Sequence, residues 1–142
     1  MAEIEVTGTI PAPIADVWAV AGDFGRVADW VPALAGSELG AGSDGSSVGD
    51  TRQCQIERGP ALAEAQTARS DADYTYSYAI TESPLPLSNY ASTIRLEADG
   101  DQTTLVWSAS FDPDPGAEEA TTSMINGVYE AGLATLQQRF GG

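Results

Sequence analysis

The sequence predicts an α+β domain in which a curved antiparallel sheet of about seven strands wraps around one long C-terminal helix, with two short helices near the N-terminus. Three observations carry this expectation. A period-two pattern runs for roughly sixty residues from Thr51, an amphipathic strand precedes it, and an apolar stripe at helical spacing follows it. The chain has 142 residues, a length that suits one domain spanning residues 1–142 and burying about two-thirds of its unfolded surface.

The first element alternates Ile4, Val6, Gly8 and Ile10 against Glu3, Glu5, Thr7 and Thr9, the pattern of a strand with one wet face. Pro11 and Pro13 end it. Ile14, Val17, Trp18 and Ala21 then recur at helical spacing up to Gly22. Asp23-Phe24-Gly25 reads as a turn, and Val27, Trp30 and Val31 as a second short helix stopped by Pro32. Residues 36–49 hold too much Gly and Ser for a helix, so a weak edge strand is expected at Ser37 to Leu39, followed by a mobile turn.

Turn signals at Gly59-Pro60, Ser70 to Asp73, Ser83 to Pro86 and Asp99 to Asp101 divide the period-two region into a meander. One face carries Arg52, Cys54 and Ile56; then Tyr74, Tyr76, Tyr78 and Ile80; then Tyr90, Ser92, Ile94 and Leu96; then Leu105, Trp107, Ala109 and Phe111. This set is expected to point inward. In the last element Asp114 can cap, Pro115 suits a first turn, and Glu118 and Glu119 complement the helix dipole. Ile125, Val128, Tyr129, Leu133, Leu136 and Phe140 make its apolar stripe, and Gly141 ends it.

Charge excludes several functions. Six Lys plus Arg face twenty-one Asp plus Glu, a formal net charge of -15, and all six cations are Arg. They are scattered singly, whereas a nucleic-acid surface needs clustered cations, so no nucleic-acid partner is expected. With no His and no Lys, His-activated nucleophiles, Schiff-base chemistry, phosphate-loop lysines and His-ligated metals are all excluded. No cofactor and no metal site is expected, and any catalysis must use carboxylates, Tyr, Arg or backbone groups. The lone Cys54 cannot form an internal disulfide, residues 1–20 lack the pattern of a secretory leader, and no apolar run reaches the ~18 residues of a membrane span. A cytoplasmic protein, monomeric or homodimeric, is the default expectation.

The inward face distinguishes a hollow interior from a solid one. A solid core would carry Leu, Val and Ile, but this face carries Arg52, three tyrosines on one strand, Tyr90 and Trp107. Buried phenols and indoles need partners for their polar tips, and a buried guanidinium needs a carboxylate, an oxyanion or water. A partly wet pocket would supply them.

Several motifs occur in a telling order: Ile10-Pro11-Ala12-Pro13 with Val17-Trp18, Asp23-Phe24, Trp30-Val31-Pro32, Val48-Gly49-Asp50-Thr51-Arg52, Glu64, Tyr78-Ala79-Ile80, Pro84-Leu85-Pro86, Asn89-Tyr90, and Thr104 to Trp107. In this order they resemble the SRPBCC superfamily of START, Bet v 1-like and polyketide cyclase/dehydrase proteins, over essentially the whole chain. The resemblance implies the helix-grip fold and a hydrophobic small-molecule ligand or substrate. The central run also resembles the abscisic-acid receptor branch. That likeness makes Gly59 to Ala63 and Ser83 to Leu87 two loops over a cavity, bringing in Pro84 and Leu85, and puts Arg52, Cys54, Ile56, Glu64, Tyr78 and Tyr90 on its side. The chain lacks the Lys with which those receptors anchor a carboxylate, and it has Pro84-Leu85-Pro86 where they have a His-Arg pair.

Arg52 could hold a substrate carboxylate or enolate, or pair with Glu64 as a strut between strands. Glu64 is the inward carboxylate of the meander and the candidate general base, with the same ion pair as its alternative. Tyr90 joins these two as the third catalytic candidate, its hydroxyl helping to stabilise an enolate. Tyr76, Tyr78 and Trp107 could stack on a ligand and donate to its oxygens, or be aromatic core. Met124 and Val128 are expected to line the cavity from the helix, and Ser92 from the sheet. Cys54 is expected as a small apolar wall, with a nucleophile as the alternative. The resulting expectation is a cofactor-independent cyclase or dehydratase acting on an oxygenated, polyketide-like substrate. Its alternatives are a non-catalytic carrier or sensor and, with a filled interior, a protein-interaction module.

Overall fold

The computed structural model describes residues 1–56 and 61–141. Its strands are β1 (Ala2–Ile10), β2 (Leu34–Leu39), β3 (Thr51–Ile56), β4 (Ala61–Ser70), β5 (Thr75–Glu82), β6 (Leu87–Asp99) and β7 (Gln102–Pro113); its α-helices are α1 (Ile14–Ala21) and α2 (Glu118–Gly141). A 3₁₀ segment at Phe24–Asp29 links α1 to β2. The strands form a seven-stranded antiparallel sheet in the order β1-β7-β6-β5-β4-β3-β2.

Alternation decides which face is buried. On β7 it is Thr103, Leu105, Trp107, Ala109 and Phe111, and on β6 it is Tyr90, Ser92, Ile94 and Leu96. The α2 stripe of Ile125, Tyr129, Leu133 and Leu136 packs on this concave side. A Cβ at Gly132 would stand 3.0 Å from Trp107 and 3.2 Å from Trp30, so a side chain there would press both indoles back by a few tenths of an ångström.

Register shifts bend the sheet. They occur at Leu34/Gly36 in β2, at Ala63/Glu64 and Gln66/Ala68 in β4, and at Ser88/Ala91 in β6, where Asn89 takes φ 55°. A bulge adds local twist and re-aims the neighbouring side chains. Two of these shifts lie beside Glu64 and Tyr90, so the features that curve the sheet also orient candidate site residues.

Several sequence expectations need correction. The edge strand is longer than Ser37 to Leu39, starting at Leu34. The second short helix is a 3₁₀ segment that begins at Phe24 and ends before Trp30. Residues 40–50, expected to form a mobile turn, are tied down: Gln66 Nε2 donates to the carbonyls of Gly45 and Ser47, and Asp50 Oδ2 accepts from the amides of Gly45 and Ser47. The long helix does not start at Pro115. Strand β7 continues to Pro113, Gly116 turns the chain at φ 82°, and helix begins at Glu118. Tyr74 precedes β5 with φ 55° and packs half-buried against Trp18. Of the first expected loop, Gly59 and Pro60 lie outside the described residues, while Ala61 to Ala63 already belong to β4. Among the described residues no helix is long and apolar enough to cross a membrane.

Candidate functional site

The concave sheet face and the N-terminal half of α2 enclose a cavity of about 200 Å³ with largely apolar walls. Strands β3 and β4 contribute Arg52, Cys54, Leu62 and Glu64; β5 and β6 contribute Tyr78, Ile80 and Tyr90; β7 contributes Trp107. Met124, Val128 and Tyr129 close it from the helix, and Met124, 41% exposed, carries the wall out to solvent. Two polar clusters interrupt the apolar lining.

The first is the Arg52–Glu64 pair. These residues are direct register partners on β3 and β4, so alternation alone puts both side chains on the inner face. Arg52 Nε donates to Glu64 Oε1 at 2.7 Å, and Nη1 donates to the Phe24 carbonyl at 2.8 Å and to the Tyr76 hydroxyl at 3.3 Å. The guanidinium also lies 4.2 Å from the Phe24 ring centroid and 4.6 Å from that of Tyr78. Burial is the largest influence on Arg52 and opposes its charge, but Glu64, with help from Tyr76, Tyr78 and Cys54, more than offsets it and raises the pKa well above the ordinary arginine value. Among the described residues, Glu64 Oε2 has no donor, and Arg52 also lies within hydrogen-bonding reach of Cys54. Cys54 Sγ lies 3.7 Å from Glu64 Oε1, and burial, reinforced by Glu64, pushes the thiol up to about 12. A thiol held neutral in this way is a wall, not a nucleophile.

The second cluster joins three phenols, an indole and a serine. Tyr90 and Tyr129 hydrogen bond through their hydroxyls, Ser92 Oγ meets the Tyr129 hydroxyl at 2.7 Å and donates to the Ser108 carbonyl at 2.9 Å. Trp107 Nε1 donates to Ser92 Oγ at 3.1 Å and to the Tyr78 hydroxyl at 3.2 Å. The Trp107 and Tyr129 rings stack 3.7 Å apart at an interplanar angle of 8°. Burial raises Tyr78 to about 12 and takes Tyr90 and Tyr129 well above the phenol range. These rings therefore present neutral hydroxyls, which donate or accept hydrogen bonds but do not act as phenolate bases.

Arg52, Glu64 and Tyr90, the three catalytic candidates, all border the cavity, as do Cys54, Ile56, Tyr78, Leu85, Trp107, Met124 and Val128. Three ligand-binding candidates do not. Tyr76 is fully buried behind the wall, edge-on to Phe24, with its hydroxyl accepting from Arg52. Ser92 sits behind Trp107 and Tyr129, occupied by three partners. Pro84 is exposed and turns outward, while its neighbour Leu85 is half-buried and turns in. Sequence reasoning missed Tyr129 as a site residue by counting it only as part of the apolar stripe. The signal was its phenol: a stripe tyrosine facing Tyr90 across the same interior needs a polar partner there.

Comparison with known proteins agrees with this architecture. The family model described as "Polyketide cyclase / dehydrase and lipid transport" matches residues 1–141. The structure of the protein XoxI from Bacillus cereus is similar, at 29% identity and TM-score 0.89, covering 99% of this chain and 96% of that one. Norcoclaurine synthase from Thalictrum flavum, in truncated form, matches at 18% identity and TM-score 0.75, covering 96% and 91%. The di-domain aromatase/cyclase BexL, of the BE-7585A biosynthetic pathway, matches at 13% identity and TM-score 0.79, over 97% of this chain and 46% of BexL. At such identities the last two likenesses show the fold alone. A comparison with proteins of curated function returned no match. Since the family match runs from the first residue to the end of α2 and the helix-grip architecture is in place, the chain belongs to the polyketide cyclase/dehydrase and lipid-transport family of the SRPBCC superfamily.

Proposed function

We propose that this protein binds a small, mostly apolar molecule bearing one or two oxygen functions inside the curved sheet. The observation that carries the reading is the cavity itself: apolar walls enclose about 200 Å³ and two polar clusters border it. Size narrows the ligand. A cavity of ~150 Å³ is enough for benzene, whereas drug-sized ligands occupy ~300 Å³ or more. One or two fused rings suit this space better than an extended polyketide chain does. The family description, cyclase/dehydrase and lipid transport, supports an apolar ligand and leaves both catalysis and carriage open.

A second reading has its own observation. Glu64 Oε2 lacks a donor among the described residues and belongs to a cavity-lining carboxylate, which supports proton transfer at a carbon next to a carbonyl, the elementary step of a cyclase or dehydratase. Arg52 would stabilise the enolate that forms.

The test titrates 1-indanone and indane into the protein and follows the Trp107 Nε1–H resonance. Binding is expected to shift it, and Ala33→Leu, which adds three carbons to the cavity wall, is expected to weaken binding at least several-fold. Absence of any shift up to the solubility limit rejects the binding reading. Deuterium exchange at the α-carbon of 1-indanone then separates the two readings: a proton-transfer catalyst accelerates it and loses that acceleration in Glu64→Gln while keeping affinity. A carrier leaves the exchange rate unchanged.

A further inference from the structure

The phenols, the indole and the thiol that border the cavity are paired within its wall. Tyr90 and Tyr129 bond to each other and Tyr129 to Ser92; Trp107 Nε1 donates to Ser92 and Tyr78; and the Tyr78 hydroxyl is within hydrogen-bonding reach of Tyr90 and Ser92. Cys54 Sγ donates to Glu64 Oε1, the oxygen that Arg52 Nε also holds. Glu64 Oε2 is different. It has no donor among the described residues, although Glu64 is 7% exposed and lines the cavity. Two other buried polar atoms lack a partner, Trp30 Nε1 and Thr121 Oγ1, but both are wholly enclosed and neither residue borders the cavity. Glu64 Oε2 is not enclosed in that way, so a molecule in the cavity can reach it.

A carboxylate oxygen only accepts, and a buried acceptor left without a donor costs free energy that an incoming donor recovers. We propose that Glu64 determines the specificity of the cavity, its Oε2 accepting a hydrogen bond from a neutral hydroxyl group on the ligand. This deepens the binding reading above and rests on it. Arg52 keeps Oε1 occupied, so the ligand meets the second oxygen and the ion pair stays intact. A hydroxyl on a carboxylate makes a short, charge-assisted bond. The other oxygen functions fit poorly: a ketone, an ether or a carboxylate presents lone pairs to an oxygen that is itself an acceptor. An ammonium could donate, but Arg52 already balances Glu64, and the described lining residues include no second carboxylate to balance another cation. The Tyr78 ring, which would otherwise attract a cation, already carries the guanidinium 4.6 Å from its centroid. Alcohols and phenols of one or two rings satisfy the cavity.

The experiment compares three probes of similar shape by isothermal titration calorimetry: 1-indanol as separate enantiomers, 1-indanone, and 1-aminoindane as its ammonium at neutral pH. Wild-type protein is expected to bind the better enantiomer of 1-indanol about tenfold more tightly than 1-indanone, as one recovered bond to a charged acceptor allows. The ammonium should bind most weakly. Glu64→Gln keeps an oxygen for Arg52 and puts an NH₂ group where Oε2 was, so an acceptor becomes a donor. In that variant the preference for the alcohol should vanish or reverse while affinity for 1-indanone is kept or improved, a pattern that a merely structural role for Glu64 would not produce. Should the variant fail to fold, the Glu64 Cδ resonance of the wild type decides: it should move clearly further with 1-indanol than with 1-indanone, and equal movement overturns the proposal. Equal binding of alcohol and ketone by the wild type overturns it, as does tighter binding of the ammonium. An alcohol preference that survives undiminished in Glu64→Gln overturns it too, placing the acceptor elsewhere. If all three probes fail to bind the wild type, it is the cavity-binding reading that fails, and the two failures are thereby distinguished.

Discussion

Consider replacing Glu64 by Leu. The guanidinium side chain of Arg52 is 1% exposed and the Glu64 side chain 9%, so neither charge is relieved by solvent. Removing the carboxylate strands a buried cation that keeps only the Phe24 carbonyl and the Tyr76 hydroxyl as acceptors, and breaking one side of such a pair costs about 3–5 kcal/mol. At an unfolding entropy of ~2.1 cal/mol/K per residue, a chain of 142 residues changes its Tm by about 3 °C per kcal/mol, so the midpoint should fall by roughly 10–17 °C. The double variant Arg52→Met/Glu64→Leu should recover most of this, because well-packed apolar groups often replace a buried ion pair without loss. It should stop short of wild type by about 1–3 kcal/mol, since the Phe24 carbonyl loses its donor. Thermal and urea unfolding followed by circular dichroism measure wild type, the single variants Glu64→Leu and Arg52→Met, and the double variant. A Glu64→Leu protein within about 1 kcal/mol of wild type, or a double variant as unstable as the two single losses added, would show that the pair is not the strut described here.

Alkaline pH should unfold the protein early. Burial raises Cys54 from 9.0 and Tyr78 from 10.0 to about 12, with Tyr76, Tyr90 and Tyr129 also raised, so between the unfolded and folded values the native state holds more protons and stability falls as pH rises from about 9 upward. Tyrosinate absorbance from these four rings should therefore appear together with loss of the circular-dichroism signal, and a tyrosinate signal well below the unfolding pH would contradict their burial. Added sodium chloride should raise Tm, because a net charge of -15 repels itself and salt screens it; a flat response would mean that the surface charges contribute little. Gln66→Ala should speed amide exchange across residues 43–50, where its side chain anchors the Gly45 and Ser47 carbonyls, by about tenfold or more while core amides on β7 keep their protection. Uniform acceleration along the chain would instead assign Gln66 a global role.

The sheet was legible because alternation is a strong signal on long strands: the inner residues of β5 to β7 follow from period two alone. So was the juxtaposition of Arg52 and Glu64, since an inward cation and an inward carboxylate on neighbouring strands have few alternatives to meeting. What escaped was set by backbone geometry that residue types do not encode at a glance. The bulge at Asn89 looks like ordinary strand in the sequence. Asp114-Pro115 is a good capping pattern and predicts a helix start there, yet Gly116 takes a left-handed φ and defers the helix to Glu118. Tyr76 was expected on the cavity because it shares a strand face with Tyr78. Two residues along the strand, however, is enough to carry a ring from the cavity wall into the layer packed on Phe24 and Trp18. Alternation gives the face of the sheet, not the depth along it.

The hollow itself requires a physical account. At ~24 cal/mol per Å³ for a dry cavity, about 200 Å³ left unfilled by side chains forgoes at most about 5 kcal/mol of packing, and less where the mouth beside Met124 opens to solvent. Collapse is opposed on both sides. On the sheet side, Arg52 is bonded to Glu64 and Phe24, so moving that wall inward breaks charge-assisted bonds in a dry environment. On the helix side, Tyr129 is stacked on Trp107 and bonded to Ser92 and Tyr90, and the bare Gly132 sets how close the helix can come. The two polar clusters therefore hold the walls apart. A ligand at one hundred times its Kd would return about 2.7 kcal/mol to the native state, about half of that ceiling. The same side chains that prop the cavity open are those that would meet the ligand, so stability and binding draw on one set of contacts and substitutions there should move both.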